Sequence, residues 1–543
     1  MQTLYSKWIA LANPESSLFL FITGGQIGLQ YWKLEGSSLR KKLGLFGPRK
    51  KSTILNVANV FSSKGWRIAA ATSTGDLYFF LNREIAESVD GAHAGPIFCL
   101  AELPSSDYKQ FMSGGKDCLI KIWSESLECA QVIDVAALSR SSSLIAPCLA
   151  INSLDAKLVI VSGIKAAAIL VGTAGGSIIE LRNVEISGGG KNLKAPENVS
   201  VLVSSHASGE LWGLAVHSLE GDLFATCGDD ATLRVWSKSR LIQSVTLPQA
   251  ARSVAWSHSG SLLVVGFNTR SVPKPGSVKI TTQFGAIQLY SVQMSKVGTE
   301  IKDLNLILRL QGCESSAWIS DLKFSPNDSL LGVASHDKML YVYDVAELNV
   351  LSSSSAENFN WEIHQKMLSK PLFRFNKHSS AVLHFDFSRD NEWIQTNCQA
   401  SELLYLSTKG FHEKSASKLA DYNGPFADYM REGKVWHTQT CVFGWSVMGI
   451  WPSGVDASEI NTIARNANGS LLATGDDEGL VKLFRSPSPT EYAKFDVLKG
   501  HSSHVTNVSW LANDALVSIG GNAIREHAAL PYFTVSVNCS RWR

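Results

Sequence analysis

The 543-residue sequence is poor in the features that most often direct a functional reading. It holds nine cysteines (Cys99, Cys118, Cys129, Cys148, Cys227, Cys313, Cys398, Cys441 and Cys539), and none forms a CxxC pair. An odd, scattered set in so long a chain argues against a disulfide framework or a zinc ribbon and fits a reducing compartment. No run approaches the roughly 18 apolar residues of a membrane-crossing helix. The opening MQTLYSKWIALANPESS lacks a basic region leading into an apolar one, so it is not expected to act as a secretory signal. Charge of one sign is missing too, since 50 basic and 48 acidic side chains leave a net +2. That balance argues against bulk attraction to nucleic acid or to a membrane surface, while leaving room for local patches. The expectation is a soluble, cytosolic protein. At this length it is built from more than one domain, because single cores stop growing near roughly 250–300 residues.

Helical periodicity is nearly absent as well. What the chain has instead is short apolar runs separated by turns rich in Gly, Asp, Asn and Ser, the pattern of β-hairpins. The pattern repeats. One stretch carries His93 in GAHAGPIFCLAEL and closes in FMSGGKDCLIKIW at Trp123; another carries His206 in SSHASGELWGLAVH and closes in LFATCGDDATLRVW at Trp236. A third closes in LLGVASHDKMLYVYD, with its aromatic at Tyr343. In all three an Asp stands six residues before the aromatic (Asp117, Asp230, Asp337). In the first two a hydroxyl residue stands four before the Asp (Ser113, Thr226). These types at these spacings suit a buried network in which the Asp holds the His, the His meets the hydroxyl, and the hydroxyl accepts from the indole. No polar group is then left unpaired. This is the WD-repeat pattern, and the sequence resembles a β-propeller protein.

Degenerate copies extend the series. Third-strand ends fall at Trp32, Phe80, Trp123, Leu181, Trp236, Tyr290, Tyr343, Leu406 and Phe484, and a tenth unit begins at GHSSHVTNVSW (Gly500–Trp510). The longer intervals hold insertions at Asn268–Phe284 and Glu347–Lys370, and an apolar segment, Val435–Trp451, expected to add strands of its own. Ten blades exceed one common ring of about 4–8. The fold class expected is therefore all-β, with two WD-repeat propellers in tandem. The first, residues 1–198, has about four blades and ends in the Gly-rich linker 184–200. The second, residues 199–543, has about six blades, the last leaving the pattern after Asn522. The first ring reads as incomplete, as in a partial gene product.

Four segments go beyond a generic repeat: YWKLEGSSLRKKLGLFG (Tyr31–Gly47), SGELWGLAVH (Ser208–His217), TCVFGWSVMGIWPSGVDASEIN (Thr440–Asn461) and GHSSHVTNVSW. In order and spacing, from about residue 5 to 522, they resemble the echinoderm microtubule-associated protein-like family. The resemblance implies a tandem propeller pair that binds tubulin or microtubules in the cytoplasm. It also implies an N-terminal hydrophobic motif and often a trimerising coiled coil and a basic stretch, none of which this sequence shows.

Among chemical signals, Arg40–Lys51 (RKKLGLFGPRKK) gathers Arg40, Lys41, Lys42, Arg49, Lys50 and Lys51 without an acid. It reads either as a solvated loop between blades or as a contact for an acidic partner such as the tubulin tails. No aromatic platform interleaves the charges, which speaks against nucleic acid. The His, Ser/Thr and Asp residues of the tetrads are structural on this reading: no GxSxG elbow presents a nucleophile, so no catalytic residue is assigned. SGGGKN (Ser187–Asn192) lacks the upstream Gly and the following Ser or Thr of a P-loop, FHEKSA lacks the second His of a zincin, and His501 with His504 has no third ligand. No cofactor and no metal are expected. Trp212 and Trp451 are either core residues or, if exposed on a ring face, interaction anchors. The functional expectation is a non-enzymatic protein that binds microtubules or tubulin through propeller faces and loops, the alternative being a general WD-repeat scaffold for other proteins.

Overall fold

The computed structural model describes residues 3–527 apart from 10–19, 104–109, 142–148, 186–197, 274–279, 349–366, 410–435, 452–458 and gaps of one or two residues. It divides into two compact units, Met1–Ala207 and Ser208–Arg543.

Four antiparallel sheets, each of four strands in chain order, make up the described part of the first unit, at residues 3–43, 54–89, 97–134 and 151–203. A short helix, Val135–Ser141, follows the third. Six sheets of three or four strands make up the described part of the second unit, at residues 211–246, 251–312, 319–375, 382–407, 460–499 and 505–527; the fourth and the last show three strands among the described residues. An extra hairpin, Arg270–Pro273 paired with Ile280–Gln283, is inserted between the second and third strands of the 251–312 sheet. The nine third-strand ends read from the sequence all lie in the third strand of their sheet.

The sheets stack through their apolar faces, and glycine permits the closest approach. A Cβ on Gly114 would sit 2.5 Å from Ile151 Cγ2, and one on Gly475 would sit 2.5 Å from Val505 Cγ1, in each case the first residue of the next sheet's innermost strand. In the second unit the innermost strands are Leu211–Val216, Ala251–Trp256, Ile319–Phe324, Val382–Phe387, Ile460–Arg465 and Val505–Trp510. They surround one axis, and residues from all six line the same axial cavity. The last sheet meets the first: Leu211 N–H donates to Gly521 O at 2.6 Å, and Asn507 Nδ2 donates to Trp212 O at 3.2 Å. The ring is closed.

One distortion recurs in all ten sheets. The innermost strand skips a residue in its pairing with the second strand, two positions from its start: between Ile54 and Asn56, Ile97 and Cys99, Leu211 and Gly213, Ala251 and Ser253, and at the matching place elsewhere. Such a bulge adds twist and re-aims the skipped side chain.

Several expectations are corrected. The Gly-rich segment 184–200 is no domain linker. Asn198–Val203 is the fourth strand of the fourth sheet, with Leu181 opposite Val199, so the segment joins two strands of one sheet and the division between units falls after Ala207 rather than at 198. Residues 523–527 do not leave the pattern: Ala523–His527 pairs with Leu516–Gly520 through backbone bonds that need no particular side chain. Residues 436–451 add no strand. They carry an isolated bridge, Trp436 to Ser388, and a 3-10 helix, Trp445–Ile450.

That segment is fastened by a buried carboxylate between the fourth and fifth sheets of the second unit. Asp386 accepts from Thr438 Oγ1 at 2.6 Å, Thr440 Oγ1 at 2.9 Å, the N–H groups of Thr440 and Cys441 at 3.0 Å, and Gln395 Nε2 at 2.8 Å. Beyond it, Val442, Val447 and Ile450 pack on Ile463, Leu472 and Phe484. Burial pushes the Asp386 carboxyl up, but the Lys323 charge and these donors outweigh it and leave the group below the usual carboxylate range. Asp386→Ala strands these donors, and a buried donor without an acceptor costs about 1–3 kcal/mol. We expect urea unfolding to show a loss of about 3 kcal/mol or more, with amide exchange rising first at residues 438–450; unchanged exchange there would contradict the fastening role.

Candidate functional site

The structure brings His93, Ser113, Asp117 and Trp123 together. His93 Nδ1 lies 2.9 Å from Asp117 Oδ1, His93 Nε2 lies 2.7 Å from Ser113 Oγ, and Trp123 Nε1 donates to Ser113 Oγ at 2.7 Å. One assignment of protons satisfies every atom: indole to hydroxyl, hydroxyl to the bare Nε2, and Nδ1–H to the carboxylate. Burial lowers the His93 pKa against the pull of Asp117, which keeps the ring neutral. Burial raises Asp117, and the His93 bond with the N–H groups of Ala94 and Leu119 more than reverses it. The chain of bonds ends in the turn and leaves no group free to attack a substrate.

Trp236 Nε1 donates to Thr226 Oγ1 at 2.8 Å, and Asp230 accepts from Thr232 N–H and Oγ1, 3.6 Å from the buried Arg234 guanidinium. His206 is buried. At the third repeat Ser315 takes the His role, bonding Ser335 Oγ at 2.7 Å and Asp337 Oδ2 at 3.2 Å, and Tyr341 also donates to Asp337.

Sequence reasoning missed three related networks. Trp32 Nε1 donates to Thr23 Oγ1 at 2.8 Å. His501 Nε2 lies 2.7 Å from Ser518 Oγ. His378 lies 2.6 Å from Thr396 Oγ1 and 3.3 Å from Glu402 Oε2. A Glu in place of Asp, and Leu406 in place of an aromatic, hid the last of these. The His378, Cys398 and Glu402 donors lie within 4.8 Å of one another, the one trio of metal-ligand type among the described residues. Each already has a partner. Glu402 accepts from Ser379 N–H, Ser379 Oγ and Cys398 Sγ, and those donors hold its carboxyl down to about 2.

The basic segment is not a simple loop. Arg40, Lys41 and Lys42 lie on the outer strand Ser38–Leu43 of the first sheet, exposed along its whole length, with Leu39 and Leu43 53% and 41% exposed beside them. Arg49 bonds Asp90 at 2.6 Å, which takes it out of the free positive charge. Lys51 is exposed, and Lys50 lies outside the described residues. SGGGKN and FHEKSA also lie outside them.

A concave site with varied chemistry sits at one mouth of the second unit's axial channel, a cavity of about 490 Å3. The bulged residue of every innermost strand lines it: Trp212, Arg252, Ser320, Leu383, Asn461 and Thr506. Arg252 is held between two indoles, its Cζ 3.9 Å from the Trp212 ring centre and 4.5 Å from that of Trp318. His336 stands edge-on to Trp318 at 4.3 Å. Burial, and then the Arg252 charge, push His336 down to about 4. Trp451, the other aromatic singled out in the sequence, instead stacks on Phe443 at 5.6 Å and donates to Val442 O. No helix among the described residues is long and apolar enough to cross a membrane.

Comparison with known proteins agrees with this architecture. The family model described as "Echinoderm microtubule-associated protein second beta-propeller" matches residues 211–524, and that for "WD domain, G-beta repeat" matches residues 87–124. The chain is 30% identical over 506 residues to echinoderm microtubule-associated protein-like 2 of Mus musculus, covering 92% of this chain and 64% of that protein. It is 29% identical over 510 residues to the 77 kDa echinoderm microtubule-associated protein of Lytechinus variegatus, covering 92% and 63%. It is 28% identical over 507 residues to echinoderm microtubule-associated protein-like 1 of Homo sapiens, covering 92% and 51%. The chain thus spans less than two thirds of the length of these three relatives.

Two outcomes follow from the geometry. Ser113→Ala leaves both a buried indole N–H and the His93 Nε2 without a partner, and should cost about 2–3 kcal/mol in urea unfolding; a loss below about 0.5 kcal/mol would remove the network from its structural role. For His336, the unfolded ring protonates near 6.5 and the folded ring near 4. Between those values the unfolded state holds the extra proton, so stability falls as pH drops through the window and levels off below it. The stability-versus-pH curve of His336→Gln should be flatter across that window than that of the parent.

Proposed function

The chain belongs to the echinoderm microtubule-associated protein family, and from that membership we propose that it is a non-enzymatic, cytoplasmic protein that binds tubulin or microtubules through the faces and loops of its propellers. Its curated relatives carry the name microtubule-associated. The observation that carries the reading to particular residues is the outer strand Ser38–Leu43, which presents Arg40, Lys41 and Lys42 to solvent with Leu39 and Leu43 beside them. Cations interspersed with exposed leucines suit an acidic, partly apolar protein surface. Their charge gives on-rate and specificity, and their apolar area adds contact. Propeller faces are pre-formed, so docking carries little ordering cost. The tetrads, whose polar atoms are occupied with one another, support a structural rather than a chemical role.

The test is co-sedimentation with taxol-stabilised microtubules. The parent chain should pellet with them, and the variant with Arg40, Lys41, Lys42, Lys50 and Lys51 changed to Glu should bind at least about fivefold more weakly, a difference that shrinks as salt rises. A folded parent that stays in the supernatant would overturn the proposal. An unbiased pull-down dominated by proteins other than tubulin would then favour a general scaffold.

A further inference from the structure

The channel mouth of the second unit holds donors with nothing to donate to. Arg252 Cζ lies 3.9 Å from the Trp212 ring centre and 4.5 Å from that of Trp318, and its N–H groups lie along the edge of the planar guanidinium, where an acceptor bonds. Arg252 Nε and the indole Nε1 atoms of Trp212 and Trp318 are buried and have no acceptor among the described residues. Asp229 approaches Arg252 Nη2 only to 3.8 Å, beyond hydrogen-bond length. Native proteins leave few buried donors unpaired, and three around one cavity ask for an explanation. All three donate only, so the missing partner is an acceptor. A carboxylate suits a guanidinium edge best, because it takes two parallel N–H bonds at once.

The charge and shape narrow the occupant further. Among the described residues Arg252 is the one Arg or Lys lining the cavity, with Asp229 at 3.8 Å and Asp477 in the same wall, and His336 is neutral at physiological pH. A multiply charged phosphate therefore finds no second cation there. The indoles offer apolar walls for a short methylene stem. Ser320 and Asn461 around the rim donate to Val382 O and to Asp477 and Val505 O, and keep acceptor capacity for a peptide N–H. About 490 Å3 admits a side chain with its adjoining backbone, within the range of small-ligand sites.

We propose that this mouth binds the carboxylate side chain of an acidic peptide, held edge-on by Arg252 between Trp212 and Trp318. The site belongs to the second propeller alone and stands whether or not the peptide comes from tubulin.

The full chain is titrated, by fluorescence anisotropy at physiological salt, into a fluorescein-labelled peptide with a run of about eight glutamates, and into its all-glutamine counterpart. The glutamate peptide should bind at least about tenfold more tightly. Arg252→Gln should lose at least about tenfold of that affinity. Trp212→Phe with Trp318→Phe, which keeps the stacked rings but removes the N–H donors, should lose about threefold or more. Melting curves show which variants fold, and should Arg252→Gln not fold, the Phe pair decides. Equal binding of the two peptides, no binding of either, or unchanged affinity in the folded site variants overturns the proposal. So does a loss seen only when Arg40, Lys41 and Lys42 are reversed. A chain that pellets with microtubules but shows no preference for glutamate keeps the broader function and loses this site, and the converse result does the opposite.

Discussion

A buried hydroxyl is the point on which the blades turn. Ser113, Thr226 and Thr23 each accept an indole N–H from the third strand of their own sheet, and Ser113, Thr396 and Ser518 each meet a histidine from the segment leading into the blade. One small atom thus ties the outer part of a sheet to the chain that enters it. The interaction is directional where apolar stacking is not. Sheets packed only through Val, Leu and Ile could slide by a residue with little change in buried area, whereas a hydroxyl that must meet an imidazole on one side and an indole on the other allows a single register. The cost of failure is high because the site is dry: a slip would leave a histidine, a tryptophan and a carboxylate buried without partners.

That rigidity lets the bulges serve as a presentation device. In each blade the innermost strand is pinned by the second strand, and in several by the glycine-mediated approach of its neighbour, as at Gly114 against Ile151 and Gly475 against Val505. The skipped residue is freed from the alternating pattern and turned to the axis. Six blades place Trp212, Arg252, Ser320, Leu383, Asn461 and Thr506 around one mouth. Backbone geometry there is repeated while chemistry varies. The frame is set by the repeat, and the site by which residues fill one position in it.

How much of this was legible in the sequence follows from what each feature depends on. The third strands were readable because a Gly or Asp turn precedes an alternating run ending in an aromatic or Leu. The first tetrad was readable because its Ser, Asp and Trp sit at fixed spacings on one hairpin. His378 with Glu402 was not, since Glu reaches the histidine by another path and no aromatic marks the strand end. The segment 184–200 is polar and Gly-rich, which signals a connection but not what it connects; the register of Leu181 against Val199 decides that. Residues 436–451 look like strands by apolar content, yet the donors clustered on Asp386 hold them in an irregular path. The bulge residues were invisible as a set. Trp212, Ser320 and Thr506 share no side-chain property, and only the register shift relates them.

The two acid-directed surfaces differ in kind, and the difference has consequences for binding. On the outer strand of the first sheet, Arg40, Lys41 and Lys42 are exposed, and exposed ion pairs contribute about 0–1 kcal/mol each and weaken with salt. Such a surface attracts acidic partners broadly and quickly without selecting among them. Arg252 lies against two indoles and is already largely desolvated, so a carboxylate meeting it finds less competition from water and fewer rotamers left to fix. It admits a single side chain and discriminates Glu from Gln by charge. An acidic partner therefore meets two different selections, one that follows charge density and salt and one that follows the fit of a single carboxylate.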